Sequence, residues 1–174
     1  MKKVYQKLWI CVSVIALSFT LIACTKIKDK ASVISEKTLN KVTSQFISEI
    51  PYFKEEKGKI FCSYEVLGIS EKSNEVTQYL DVLAQEYYIE NGELKEGTTG
   101  AYPVVITIKR EGKDYNVQSY KLSKELEKTD AIKILPKSIQ KKVLSDEYKN
   151  SQNDRTKKGT LQRIEKAKKY FEID

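Results

Sequence analysis

Four segments with a two-residue hydrophobic period constrain the fold of this chain more than any other feature. Side chains alternate between the two faces of a β-strand, so this period predicts strands. They cover residues 60–67, 76–89, 102–109 and 115–122. Short turns between consecutive strands place them side by side, which predicts an antiparallel meander of about four strands.

The turn residues refine this prediction. Asn91-Gly92 is the strongest hairpin signal in the chain, because both residues tolerate a positive φ. Glu111-Gly112-Lys113 predicts a second hairpin. Between them we expect a brief return strand over 93–96 and then a loop over 97–101. Pro103 predicts a sheet edge or a bulge, and Gly68 closes or bulges the first strand.

Helical patterns stand on both sides of the strands. Residues 32–50 predict a helix that Ser32 or Ser35 caps and Pro51 ends. Pro136 predicts the start of a second helix, which residues 151–154 interrupt. In the last helix the predicted inner stripe is Leu161, Ile164, Ala167 or Lys168, and Phe171, with Arg163, Lys166 and Lys169 facing away.

The order of elements predicts an α+β domain. It has an N-terminal helix, the meander and two C-terminal helices, with the helices on one face of the sheet. A cystatin-like cone is one arrangement that this order allows.

The N-terminus has the pattern of an export signal. Three lysines precede an uncharged apolar run from Leu8 to Ala23, which is short for a membrane span. The run ends in Leu21-Ile22-Ala23-Cys24, which resembles the lipobox of bacterial lipoproteins. The resemblance implies cleavage between Ala23 and Cys24, with diacylglycerol on the Cys24 sulfur and palmitate among the attached acyl chains. The protein would then be held in the cell membrane at its extracytoplasmic face. The alternative is an uncleaved signal anchor with an incidental cysteine.

These assignments divide the chain into four parts. Residues 1–23 are a signal peptide, 24–31 a tether, 32–148 the α+β domain and 149–174 a basic helix. The charge supports the last division, because residues 140–174 hold ten basic and six acidic side chains. Such a helix contacts anionic lipid or a wall polymer, or is simply solvated.

The composition excludes several kinds of chemistry. The chain has no histidine, which excludes a Ser-His-Asp triad, a Cys-His pair and a histidine metal ligand. Cys11 leaves with the signal peptide and Cys24 carries lipid, so Cys62 stays as a lone thiol in an apolar strand, with no base to activate it. No sequence motif indicates a metal or another cofactor.

Two residue classes remain as candidates for a site. Glu86 and Glu90 lie four apart on one predicted strand, and a carboxylate-dependent hydrolase would use acids such as Glu86 and Asp81. Solvated strand glutamates are the simpler interpretation.

Tyrosine is unusually frequent, with eleven residues in the chain. Tyrosine combines an apolar ring with a polar tip, which suits a binding surface. The predicted binding face carries Tyr79, Tyr87, Tyr102 and Tyr115. Half-buried packing of the same rings is the alternative.

About half of the chain resembles an extracytoplasmic α+β module. This module is found alone in small lipoproteins of low-GC Gram-positive bacteria and appended to some beta-lactam-sensor-type membrane metallopeptidases. The similarity lies in residues 61–68, 85–88, 91–94, 103–107 and 115–117. The chain departs from it at 121–124, where the expected Pro- and Gly-containing turn is replaced. The resemblance implies no enzymatic activity for the module itself.

Taken together, these features predict a non-enzymatic, lipid-anchored binding or sensory accessory module. Its expected partners are the membrane, through Cys24, and an envelope protein, peptide or cell-wall fragment, not nucleic acid. Two alternatives stay open, namely the carboxylate-dependent envelope hydrolase and a structural or envelope-stress lipoprotein without a specific ligand.

Overall fold

The computed structural model describes residues 34–125 and 127–173. The predicted signal peptide, Cys24 and the tether lie outside the described residues. Within the described part of the chain, no helix is both long enough and apolar enough to cross a membrane.

One open antiparallel sheet with strand order β1-β2-β3-β4 forms the centre of the domain. A helix α1 (Glu36–Ile47) precedes it. The strands are β1 (Lys59–Lys72), β2 (Glu75–Glu90), β3 (Glu93–Glu111) and β4 (Asp114–Leu122). After them come α2 (Lys128–Ala131), a 3₁₀ turn (Ile132–Ile134), α3 (Lys137–Leu144), α4 (Asp146–Asn150) and α5 (Gln152–Phe171). The predicted α+β arrangement and the four-stranded meander are confirmed.

The start of α1 follows the predicted capping chemistry. The Ser35 hydroxyl accepts a hydrogen bond from the Thr38 backbone N–H at 3.2 Å. The helix ends at Ile47, three residues earlier than predicted, and buries Leu39, Thr43 and Ile47.

The β2–β3 hairpin confirms the Asn91-Gly92 turn, with φ of 55° and 79° at the two residues. The predicted loop at residues 97–101 is wrong, because β3 runs without interruption to Glu111. A bulge between Gln85 and Tyr87 in the β2–β3 register lets pairing continue there. Gly97 is needed for space rather than for a turn, since an added Cβ would meet Glu86 Oε2 at 2.5 Å.

The structure also locates the strand irregularities that were predicted at Gly68 and at Pro103. β1 does not close at Gly68 but continues past a bulge between Val66 and Gly68. Pro103 lies inside β3, and its carbonyl accepts the Ser123 N–H at 3.3 Å. In an antiparallel strand, the backbone N and O of one residue point to the same side. The Pro103 nitrogen therefore points to the β4 side of β3, at a level where β4 has already ended at Leu122.

Helices cover both faces of the sheet, so the predicted one-sided arrangement is wrong. The α1 side chains pack with Cys62, Leu80, Val82 and Val104 in the larger core. The C-terminal helices pack on Leu67, Tyr79 and Val105 in a second cluster. Odd- and even-numbered residues of one strand face opposite sides, so the sheet is the middle of three layers.

The inner face of α5 agrees with the prediction at Ala167 and differs from it at Leu161 and Arg163. Gly159, Arg163 and Ala167 are the buried residues, whereas Leu161 is 60% exposed. The buried residues are spaced by four and face β1, where Gly159 lets the helix approach Ser63 closely. The helix interruption predicted at residues 151–154 consists of Ser151 alone, because α5 already begins at Gln152.

Candidate functional site

A cleft of about 560 Å³ opens between the sheet and the C-terminal helices. Its floor is the sheet face formed by β1, β2 and β3, and its walls are the 3₁₀ turn, α3, α4 and the start of α5. The polar lining includes Ser63, Glu65, Asp81, Glu125, Tyr148, Gln152, Arg155 and Lys158. This size is typical of pockets that take small molecules or short peptides.

Two carboxylates on the floor meet one hydroxyl group. Glu65 and Asp81 lie directly opposite each other in the β1–β2 register, so their side chains share a face. The Tyr148 hydroxyl lies 3.1 Å from Glu65 Oε2 and 3.3 Å from Asp81 Oδ2. This hydroxyl has a single proton, so it donates to one carboxylate at a time.

Arg155 completes the polar centre of the cleft. Its Nε lies 2.7 Å from Glu65 Oε2, and its guanidinium carbon lies 3.5 Å from the centre of the Tyr148 ring. Burial and the charges of Asp81 and Glu65 raise the pKa of Tyr148, which Arg155 opposes. Tyr148 is therefore a neutral donor at physiological pH.

The opposite part of the cleft is apolar. Leu67 from the floor and Ile132, Leu135 and Val143 from the helices line it. A polar centre beside an apolar wall can orient a ligand and also bury its hydrocarbon part. Sequence reasoning missed this cleft, because Tyr148 and Arg155 reach Glu65 from a helical region more than 80 residues away. The strand register alone could have paired Glu65 with Asp81.

The structure does not bring the four predicted tyrosines together. Tyr79 packs on the cluster beneath the C-terminal helices. Tyr102 and Tyr115 pack on the opposite side, against the core that contains α1. Tyr87 is almost fully buried. They form no common face because their strand positions alternate between the two sides of the sheet.

The predicted acid pair is also separated. Glu86 is 1% exposed, and its Oε1 accepts the N–H groups of Glu56, Lys57 and Gly58 at 2.7–2.9 Å. These hydrogen bonds hold the pKa of Glu86 at about 2 against the effect of burial. Asp81 lies on the other face with Tyr148, and Glu90 is exposed at the end of β2. Glu86 therefore anchors a loop to the sheet.

The lone thiol lies inside the larger core. Cys62 is buried and forms no disulfide within the described part of the chain, and burial raises the pKa of its thiol to about 11. The neutral thiol is a weak nucleophile at neutral pH. Among the described residues, no group of three Cys, Asp or Glu side chains could hold a metal ion.

Comparison with known proteins gives no relative, since no family model, curated protein or solved structure matches the chain. The lipobox, the lipoprotein module and the cystatin-like cone therefore stay predictions.

Proposed function

We propose that the protein is a non-enzymatic lipoprotein, anchored through Cys24 at the extracytoplasmic face of the membrane, that works as a binding or sensory accessory module. The observation that carries the binding role is the cleft, with its polar centre beside an apolar wall. The cleft replaces the tyrosine-bearing face as the proposed contact surface. A peptide or a cell-wall fragment with both polar and apolar groups fits its chemistry.

The polar centre favours binding over catalysis. Arg155 and Tyr148 both contact Oε2 of Glu65, so this oxygen is already engaged. A general acid or base needs access to a substrate proton and a pKa suited to the transfer. We therefore assign these groups to ligand orientation.

The binding role is tested by blocking the cleft. Ala101 lines it and is exposed, so Ala101→Trp adds bulk there without entering the core. The matched control is Gln118→Trp on β4, which is exposed away from the cleft. From detergent-solubilised membranes, the full chain and Gln118→Trp should enrich the same partner, and Ala101→Trp should lose it. Equal enrichment by Ala101→Trp would contradict the proposal.

The anchor is tested separately. Cys24→Ala should abolish incorporation of labelled palmitate and leave the precursor unprocessed. Cys11→Ala, in the same signal peptide, should keep both. Continued labelling of Cys24→Ala would refute lipidation at this residue.

A second candidate function rests on the closeness of Glu65 and Asp81 around one hydroxyl group. Glycoside hydrolases use two carboxyl groups about 5–9.5 Å apart. If the protein is an envelope hydrolase, purified full-length chain should release fragments from cell walls and Asp81→Asn should stop the release. The binding proposal expects no release from either protein.

A further inference from the structure

We propose that a groove along the outer edge of β1 binds a phosphate group. This basic groove lies between α1 and α5 and differs in chemistry from the cleft, although the two border each other at Ser63, Tyr64 and Gln162. Its lining is Asn40, Lys41, Ser44, Ser63, Tyr64, Val66, Gln162 and Lys166.

The first argument is charge. Lys41 and Lys166 line the groove from the two helices, and none of the lining residues is acidic. The Lys166 ammonium donates to the Cys62 carbonyl at 2.8 Å, which fixes its position without neutralising its charge. Lys41 forms no ion pair with a described carboxylate. One fixed ammonium group, on Lys166, and one exposed ammonium group, on Lys41, face the groove without a described counter-charge, and this arrangement favours a bound anion.

A third positive charge lies behind the groove. Arg163 is only 5% exposed, and its Nη1 donates to Ser63 Oγ at 2.6 Å. Its Nη2 donates to Thr160 Oγ1 at 3.0 Å, and its Nε has no hydrogen-bond partner among the residues that the structure describes. Among the described residues, no carboxylate pairs with Arg163. A buried charge without a counter-ion is costly, and an anion beside Ser63 would reduce that cost.

The backbone of the edge strand supplies a further donor. Among the described strands, β1 has no neighbour on its outer side, so the N–H and C=O groups of alternate residues point away from the sheet. The Ile60 N–H bonds outward to Glu55, and the Cys62 carbonyl bonds outward to Lys166. By the same alternation the Tyr64 N–H points outward, and Tyr64 lines the groove.

These donors match a phosphate group better than a carboxylate. Ammonium groups from two helices, a backbone N–H and the Ser63 hydroxyl, which accepts from Arg163 and keeps its own proton, approach from different directions, and a tetrahedral anion offers acceptors in each of them. The same chemistry is present in a soluble phosphate ester and in the headgroup of an anionic lipid.

The experiment is a calorimetric titration of the full-length chain in detergent with glycerol phosphate, at constant ionic strength. Lys41→Gln and Lys166→Gln should each weaken binding about five-fold. The matched control Lys157→Gln removes the same charge from an exposed position of α5 and should change nothing. No binding, or equal weakening by Lys157→Gln, would overturn the proposal.

Two further measurements separate the sources and the roles. In vesicles containing phosphatidylglycerol, but not in pure phosphatidylcholine, a lipid source predicts slower hydrogen exchange in the peptide 60–66. If glycerol phosphate slows this exchange and both vesicles leave it unchanged, the ligand is a soluble or wall-borne phosphate. If no phosphate source slows it, the assigned location is wrong. Ala101→Trp should leave phosphate binding intact, so failure of the cleft proposal and of this one can be distinguished.

Discussion

At the scale of single residues, Glu86 shows how one buried charge organises a loop. Its carboxylate receives three consecutive backbone N–H groups from residues 56–58. Only glycine fits at position 58, because an added Cβ would lie 2.0 Å from the Tyr87 carbonyl oxygen. The chain between α1 and β1 is thereby fixed against β2.

This arrangement predicts an acid-sensitive contribution to stability. The pKa of Glu86 is lowered from 4.5 to about 2, so its stabilising effect is complete above about pH 4.5 and is lost as the pH falls towards 2. Glu86→Gln should cost about 2 kcal/mol in free energy of unfolding at pH 7. Urea denaturation at pH 7 and at pH 3 measures both effects.

The control for this prediction is Glu90→Gln, which alters an exposed glutamate on the same strand. It should change the free energy of unfolding by less than about 0.5 kcal/mol and keep the pH dependence. If Glu86→Gln unfolds with the same pH dependence as the unmodified chain, the amide-held carboxylate is not the source of the acid sensitivity.

At the scale of elements, the contact between α5 and β1 depends on a missing side chain. A Cβ at Gly159 would lie 2.7 Å from Ser63 Oγ and 3.2 Å from Arg163 Nη1. The glycine therefore permits the hydrogen bond between these two side chains across the helix–strand contact. Glycine has a low helix propensity, so the close packing of α5 on β1 offsets the cost of placing a glycine inside the helix.

A double-mutant cycle tests this contact. Gly159→Ala should lower the free energy of unfolding by about 1–2 kcal/mol, although alanine favours the helix. In a Ser63→Ala background the obstructing Oγ is absent, and the same change should be neutral or stabilising. Additive effects of the two changes in thermal or urea unfolding would show that Gly159 and Ser63 do not interact.

The same elements show what the sequence could predict. The Asn91-Gly92 turn and the Ser35 cap are local signals, and both are confirmed. The loop predicted around Gly97 failed because glycine there makes room for Glu86, a contact from a neighbouring strand. Arg163 was predicted to face solvent because charge usually does, yet it packs against Ser63, 100 residues away in the chain. The cleft could not be predicted for the same reason, because its residues come from distant parts of the chain.

At the scale of the whole molecule, the described domain has α5 as part of its third layer. The described residues group into one compact unit. The ring of Phe61 in β1 lies 6.0 Å from Tyr87 and 6.2 Å from Phe171 of α5. The last helix thus completes the cover of one sheet face.

Ending the chain at Ser151 should therefore destabilise the sheet itself. Loss of α5 exposes Phe61 and removes the partner of Ser63, so we expect the melting temperature to fall by about 10 °C or more. Circular dichroism melts of the full and shortened chains measure this. An unchanged melt of the strand signal would show instead that residues 149–174 form an independent segment.

The three-layer order also has a consequence for how the chain reaches its native state. The hairpins join strands that are neighbours in sequence, so their contacts are local and can form early. The bonds from Arg163 to Ser63 and from Lys166 to Cys62 span 100 and 104 residues, and they need α5, which is synthesised after the sheet. Until α5 has been synthesised, the face of β1 that it covers is exposed, which leaves this strand of a nascent chain open to chaperones and to self-association.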